Sequence, residues 1–184
     1  FYAWNLERLA QVAEVIAAKG HTHFYLAREL VMLLDRLPGS HRVNYDSVKA
    51  KQDRLQAYLS LVANDVSGHR MAVSVKDLVR DLRAKSRDVS ERIRKQEWVK
   101  AGRDGSFFNG YYDDHGKRVE GRNAAGTRMS LTGQVFPVMA GIATEAQTDG
   151  VIQSVRKLLR DPRTGGVRLN TDFGGIQHAL GRAF

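Results

Sequence analysis

Apolar residues at the start of the chain recur at helical spacing. Between Tyr2 and Lys19 they return every three or four positions, and Gly20 follows where a left-handed C-cap would end a helix. A second helix is predicted from Thr22, whose hydroxyl can cap the early amides, to Leu37, which precedes a Pro-Gly pair. Its apolar residues fill so much of its circumference that we expect it to be largely buried.

A third helix is predicted from Tyr45 to Val62, followed by a polar loop from Asn64 to Arg70. The apolar stripe that this helix is expected to bury consists of Val48, Leu55, Tyr58, Leu59 and Val62. The first third of the chain is therefore predicted to be an array of helices.

A long basic helix is predicted after Ser74. Ser74 and Asp77 have the spacing of a capping box, and apolar residues from Val75 to Ile93 mark one face. The opposite face carries closely interleaved charges of both signs. Because such a pattern suits ion pairs one turn apart, it favours a solvated face over a groove for nucleic acid.

The pattern changes after Trp98, where glycines alternate with aromatic and polar residues. A short β-hairpin is predicted near residues 105–130, and helix resumes near Gly133. Thr144 and Gln147 form a full capping-box pattern for another helix, and the chain from Arg163 onward is expected to be a glycine-rich loop that leads into a further helix. Successive helices with short connections predict an all-α fold.

Composition narrows the classes of protein. The 184 residues are 42% hydrophobic, which is enough for a sizeable core, and the absence of cysteine excludes disulfides and thiolate metal sites. No apolar run approaches the roughly 20 residues that cross a bilayer, and the first residues lack a signal-peptide pattern, so we expect a cytoplasmic protein. The net charge of +9 keeps a nucleic-acid- or protein-binding helical module open as an alternative.

Two segments carry candidate chemistry. Residues 107–120 combine aromatic rings with carboxylates, which suits carbohydrate binding, although an aspartate pair such as Asp113 and Asp114 is also ordinary turn chemistry. The loop 168–175 presents Arg168 and Asp172 on a flexible backbone. The histidines lack zinc-site spacing, and no serine-nucleophile, phosphate-loop or dinucleotide motif occurs, so neither a metal nor a cofactor is expected.

Three segments together resemble a known family. They are Phe107–Gly116 (FFNGYYDDHG), Met129–Gly141 (MSLTGQVFPVMAG) and Gly165–Leu169 (GGVRL). This succession resembles the catalytic domain of cellobiose-phosphorylase-like enzymes of glycoside hydrolase family 94, with its relatives among the β-glucan phosphorylases and cyclic β-glucan synthases. The resemblance covers roughly residues 98–184.

The resemblance implies a fold and a reaction. The fold would be part of an (α/α)₆ barrel, with residues 1–184 as one fragment of a longer polypeptide. A homodimer of the full-length enzyme would be compatible with the resemblance. The reaction would be inverting phosphorolysis of β-glucan oligosaccharides, in which an aspartic acid protonates the glycosidic oxygen while inorganic phosphate, the co-substrate, attacks the anomeric carbon. Hydrolysis on the same barrel is a related alternative.

The resemblance also implies roles for single residues. Gln134, Arg168 and Asp172 would contact the sugar, and Tyr112 would either stack on it or belong to the core. No residue here is predicted to be catalytic, since the family's acid lies in an Asp-Trp-Asn-Asp-like motif that this sequence lacks; the 184 residues alone are therefore expected to be inactive. Gly110 stands where the family usually has a basic residue, which leaves the acceptor specificity open.

Overall fold

A computed structural model describes residues 1–124 and 126–174. Within these residues 48% of the chain is helical and 16% is in strands or bridges, with three small antiparallel sheets. The fold is mixed α/β, so the predicted all-α class, drawn as part of an (α/α)₆ barrel, is wrong. The helix expected toward the end of the chain falls mostly in residues 175–184, outside the described residues. No described helix is long and apolar enough to span a membrane.

The described elements follow one another in this order: α1 (Tyr2–Ala18), β1 (His23–Ala27), α2 (Arg28–Val31), α3 (Val48–Val62), β2 (Arg70–Ser74), α4 (Val75–Gln96), β3 (Trp98–Lys100), a 3₁₀ turn (Gly102–Asp104), β4 (Ser106–Phe108), β5 (Gly121–Asn123), β6 (Gly126–Arg128), α5 (Thr132–Met139) and α6 (Glu145–Leu158). They form two compact units, and the division falls within α4. We call Tyr2–Val89 the N-terminal unit, and the described residues from Ser90 onward, which Phe1 joins, the C-terminal unit.

The core of the N-terminal unit lies between α1 and α4. Leu6, Ala10 and Ala13 of α1 pack with Val75, Val79 and Leu82 of α4. The alanines leave little side-chain bulk between the two helices, and the apolar stripe predicted for α4 is the face that is buried. The predicted capping interaction forms only in part, because Ser74 Oγ accepts from the Asp77 amide at 3.4 Å.

The predicted second helix is mostly absent. Residues 23–27 form β1, which pairs antiparallel with β2 from His23↔Ser74 to Ala27↔Arg70. Phe24 and Leu26 lie on the less exposed side of the strand, so their spacing of two residues is that of a half-buried strand. Only the single turn of α2 follows, and the chain is then irregular up to Ser47, whose side chain caps α3 by accepting from the Ala50 amide at 3.1 Å.

Helix α3 forms close to the predicted range but buries no residue. Val48, Leu55 and Leu59 are 62%, 52% and 48% exposed, so the predicted buried stripe is wrong.

The C-terminal unit contains two hairpins and two helices. Strand β3 pairs with β4 from Trp98↔Phe108, and β5 pairs with β6 from Gly121↔Arg128, so the range 105–130 holds one whole hairpin and one strand of another. The core contains Phe107, Met129 and Leu159. The capping box of α6 is present, with the Gln147 amide donating to Thr144 Oγ at 3.2 Å and the Thr144 amide donating to Gln147 Oε1 at 3.1 Å.

Candidate functional site

Gln134 is a buried clamp on the backbone. Its side chain is 1% exposed, and its Oε1 accepts from the Phe108 amide at 2.8 Å. Its Nε2 donates to the Phe108 carbonyl at 2.8 Å and to the Ser130 carbonyl at 3.0 Å. Both protons of the Gln134 amide group are donated to hydrogen bonds. The side chain therefore bonds to the N–H and C=O groups of Phe108 as a neighbouring β-strand would. Gln134, which was predicted to contact sugar, instead holds β4, the strand that leads into residues 109–120.

Glu120 is a second buried clamp. It is 4% exposed, and Oε1 accepts from the Ser130 amide at 3.0 Å and from the Ser130 hydroxyl, while Oε2 accepts from the Gly110 amide. Burial raises the pKa of Glu120, and these hydrogen bonds offset only part of that rise. The Glu120 carboxyl group therefore links Gly110 to Ser130, which lies just before α5.

Gly110 and Gly133 approach each other closely beside this clamp. A Cβ added to Gly110 would lie 2.5 Å from the Gly133 Cα, so the backbone would have to move to accept it. This contact gives a physical reason for the glycine that stands where the resembled family usually has a basic residue.

A polar cluster lies on the surface of the same unit. The Tyr112 ring is 45% exposed, and its hydroxyl donates to the Glu97 carboxylate, whose two oxygens lie at 2.8 and 2.9 Å. Glu97 also accepts from Asn109 Nδ2 at 3.1 Å and lies 3.8 Å from Arg118 Nε. Burial raises the pKa of Tyr112, Arg118 lowers it and Glu97 raises it further, with a net rise. We call Glu97, Asn109, Tyr112 and Arg118 the tyrosine cluster.

Asp113 stabilises a turn, which is one of the two roles considered for it from the sequence. Its Oδ1 accepts from the amides of His115 at 2.9 Å and Lys117 at 2.8 Å. The backbone hydrogen bond from Lys117, followed by that from His115, lowers the pKa of Asp113. The aspartate shapes the turn that brings Arg118 back opposite Tyr112, with which it forms an isolated antiparallel bridge.

Arg168 and Asp172 are exposed. Arg168 Nη2 donates to the Leu158 carbonyl at 3.1 Å, and Asp172 Oδ1 accepts from the Gly174 amide at 2.8 Å. The backbone between them is fixed, because the Leu131 amide donates to the Leu169 carbonyl at 2.7 Å.

The four predicted site residues therefore play different parts. Gln134 is buried beneath β4. Tyr112, Arg168 and Asp172 lie at the surface, and each forms its hydrogen bonds with a different partner. Sequence reasoning did not single out Glu97 or Glu120. Glu97 lies among many charges at the end of α4, where spacing alone does not distinguish it, and Glu120 carries no motif of its own.

Several basic residues of α4 pair with acids. Arg83 donates to both carboxylate oxygens of Glu14 at 2.7 Å, Arg80 lies 2.7 Å from Asp77, and Lys95 lies 3.5 Å from Glu91. The contacts of Arg80 and Lys95 join residues one turn apart on α4, as the interleaved charges predicted, whereas Arg83 pairs with a glutamate of α1. Within residues 1–124 and 126–174 there is no group of three or more histidine and carboxylate side chains that would hold a metal ion.

Comparison with known proteins adds no family, since no family model and no curated protein matches the chain.

Proposed function

We propose that residues 98–174 supply sugar contacts in an inverting phosphorylase that cleaves β-glucan oligosaccharides with inorganic phosphate. One observation carries the proposal: the three segments of the resemblance, which other residues separate in sequence, meet within one unit. Glu120 joins Gly110 to Ser130, Gln134 holds Phe108, and Leu131 bonds to Leu169. These contacts hold residues of all three segments close to one another, as a shared sugar site would require.

The tyrosine cluster is the contact surface that we propose. A half-exposed aromatic ring offers a face for a sugar ring, and Glu97 holds the Tyr112 hydroxyl so that the ring keeps its orientation. The carboxylate of Glu97 and the guanidinium of Arg118 are suited to hydrogen bonds with sugar hydroxyls. Gln134 serves this surface indirectly, by fixing the strand before it.

The proton donor is proposed to lie elsewhere in a longer, cytoplasmic polypeptide. Inverting phosphorolysis needs one carboxylic acid on the protein, because phosphate replaces the base-activated water and attacks from the opposite face. Glu120 has the raised pKa of a general acid, but its oxygens accept three hydrogen bonds inside the unit. We therefore assign Glu120 to structure and not to proton transfer.

Binding to the 184-residue chain tests the contact surface. Isothermal titration with β-1,2-, β-1,3- and β-1,4-linked glucan oligosaccharides is expected to show binding to at least one of them. Tyr112→Ala should weaken that binding about three- to tenfold, which is the worth of one aromatic stacking contact. Tyr25→Ala is the matched control, since Tyr25 is 70% exposed and lies in the other unit. Equal loss in the two variants, or no binding of any oligosaccharide, would overturn the proposal.

The reaction type is tested on a longer polypeptide that contains this chain. Release of a sugar 1-phosphate that depends on added phosphate and proceeds with inversion supports phosphorolysis. Release of free sugar without phosphate would show the hydrolytic alternative instead.

A further inference from the structure

A buried carboxylate fixes the irregular segment that follows α2 in the N-terminal unit. Asp35 is 1% exposed; its Oδ2 accepts from the Val43 amide at 2.9 Å, and its Oδ1 accepts from the Tyr45 hydroxyl at 2.8 Å and from Lys85 Nζ at 3.0 Å. Burial alone would raise the pKa of Asp35, but these hydrogen bonds, that from Lys85 first, lower it to about 2. The group is therefore a permanent anion near neutral pH.

A second buried carboxylate shares the same lysine. Asp81 is fully buried, accepts from the Arg36 amide at 2.8 Å and forms an ion pair with Lys85. Asp35 and Asp81 share this one ammonium group, and Arg36 Nε lies 4.0 Å from Asp35. A buried ionic network of this kind is costly to desolvate, and its replacement by apolar side chains is often neutral or stabilising. The clear consequence of the network is geometric: its hydrogen bonds fix the segment between α2 and α3.

A cavity of about 430 Å³ opens beside this fixed segment. Its apolar wall includes Leu33 and Val43 from the segment, Leu55 from α3 and Val89 from α4. The volume lies in the range of small-molecule sites, which bury a mostly apolar ligand and orient it with a few polar groups. Leu55 is 52% exposed, so part of the apolar wall faces solvent.

The charged groups on the wall favour an anion. Lys51, Arg54 and Lys85 line the cavity together with only two carboxylates, Asp35 and Asp88. Lys85 is shared by Asp35 and Asp81, and Arg36 Nε also lies 4.0 Å from Asp35, so these buried acids are balanced by neighbouring cations. Arg54 donates to the carbonyls of Met32 at 2.6 Å and His41 at 2.8 Å. Among the ion pairs of residues 1–124 and 126–174, none involves Lys51. Its ammonium group is available to a ligand.

We propose that this cavity binds a small free amphiphile with one negative charge, such as a medium-chain carboxylate, with its chain against Leu33, Val43, Leu55 and Val89 and its carboxylate at Lys51. The site is independent of the proposed sugar contacts, which lie in the C-terminal unit.

Titration of the 184-residue chain with octanoate tests the site. Octan-1-ol and octylammonium, which have the same chain length, are the neutral and cationic control ligands. Saturable binding of octanoate is expected below its micelle-forming concentration, about three- to fivefold tighter than octan-1-ol, as suits an ion pair at an open rim. Lys51→Gln should remove the preference for octanoate over octan-1-ol but keep the binding of both. Lys49→Gln is the matched control, because Lys49 lies on the same helix and pairs with Asp53 instead.

A second pair of variants tests the apolar wall. Leu55→Glu places a carboxylate in the wall and should abolish octanoate binding, whereas Leu59→Glu, 48% exposed on the same helix, should not. Circular dichroism and thermal unfolding establish that each variant is folded. The proposal fails if octanoate does not bind, if both glutamate variants lose binding equally, or if sedimentation shows a dimer that Leu55→Glu dissociates, since a second copy would then occupy the cavity.

Discussion

Each unit of the molecule fixes irregular backbone with buried carboxyl groups, but the two units do so with opposite electrostatics. In the N-terminal unit Lys85 lies against both Asp35 and Asp81, and the pKa of Asp35 falls to about 2. In the C-terminal unit Glu120 accepts hydrogen bonds from Ser130 and Gly110, no ion pair to it is found among the described residues, and its pKa rises. A nearby ammonium group, more than the number of hydrogen bonds, separates the two outcomes.

The difference predicts opposite responses to pH. A carboxyl whose pKa is lowered by folding stabilises the fold above its ordinary value, so the contribution of Asp35 is complete above pH 3.8 and is lost as the pH falls toward about 2. A carboxyl whose pKa is raised does the reverse. The contribution of Glu120 is complete below pH 4.5 and is lost as the pH rises through its folded pKa.

Removal of the lysine should have the largest effect. Lys85→Met removes the ammonium group that Asp35 and Asp81 share and leaves only the more distant Arg36 beside Asp35, so we expect the free energy of unfolding to fall by about 3–5 kcal/mol. Urea unfolding near neutral pH measures the change. Lys95→Met is the matched control on the same helix, where the exposed pair with Glu91 should contribute less than about 1 kcal/mol. Similar losses in the two variants would contradict the role given to Lys85.

Crowding the Glu120 clamp should have a smaller effect. Gly110→Ala brings a methyl group 2.5 Å from the Gly133 Cα, and relief requires backbone movement that also displaces an amide donor to Glu120. A loss of about 1–3 kcal/mol in the free energy of unfolding is expected, as for other overpacked sites. A variant as stable as the parent chain would show that the two glycines are not in tight contact.

Conversion of Glu120 to the amide should have the smallest effect of the three. Glu120→Gln turns an NH₂ group toward N–H donors, at about 1–2 kcal/mol, since the Ser130 hydroxyl can rotate to accept from the amide. The stability gap between parent and variant should narrow as the pH rises above 4.5, because only the parent carries the raised pKa. Urea unfolding at a series of pH values measures the gap, and a gap that widens with pH would reverse the sign assigned to Glu120.

Secondary structure was predicted correctly where it depends on residues close together in the sequence. Helices α1, α4 and α6 follow from apolar spacing, and the Thr144–Gln147 capping box forms as its pattern indicates. Strand β1 was missed because its partner β2 lies more than forty residues away in a stretch whose first residue was taken for part of a polar loop. A pairing of that kind is set by tertiary packing, which periodicity within one segment does not report.

The site was predictable only in part. The segment 107–120 was marked by its aromatic and acidic residues, and the structure gathers Tyr112, Asn109 and Arg118 there around Glu97. Gln134 was chosen for its place in a resembled motif, but a motif does not say whether an amide faces a ligand or the backbone. That distinction depends on Phe108 and Ser130 lying within 2.8–3.0 Å of its side chain.

The sugar-contact proposal is tested most directly by mapping an oligosaccharide onto the ¹⁵N-labelled 184-residue chain by NMR. Addition of a β-glucan oligosaccharide that binds should shift the amide signals of Glu97, Asn109, Tyr112 and Arg118, and leave those of residues 2–89 in place. Shifts confined to residues 2–89, or none at saturating sugar, would contradict the proposed contact surface.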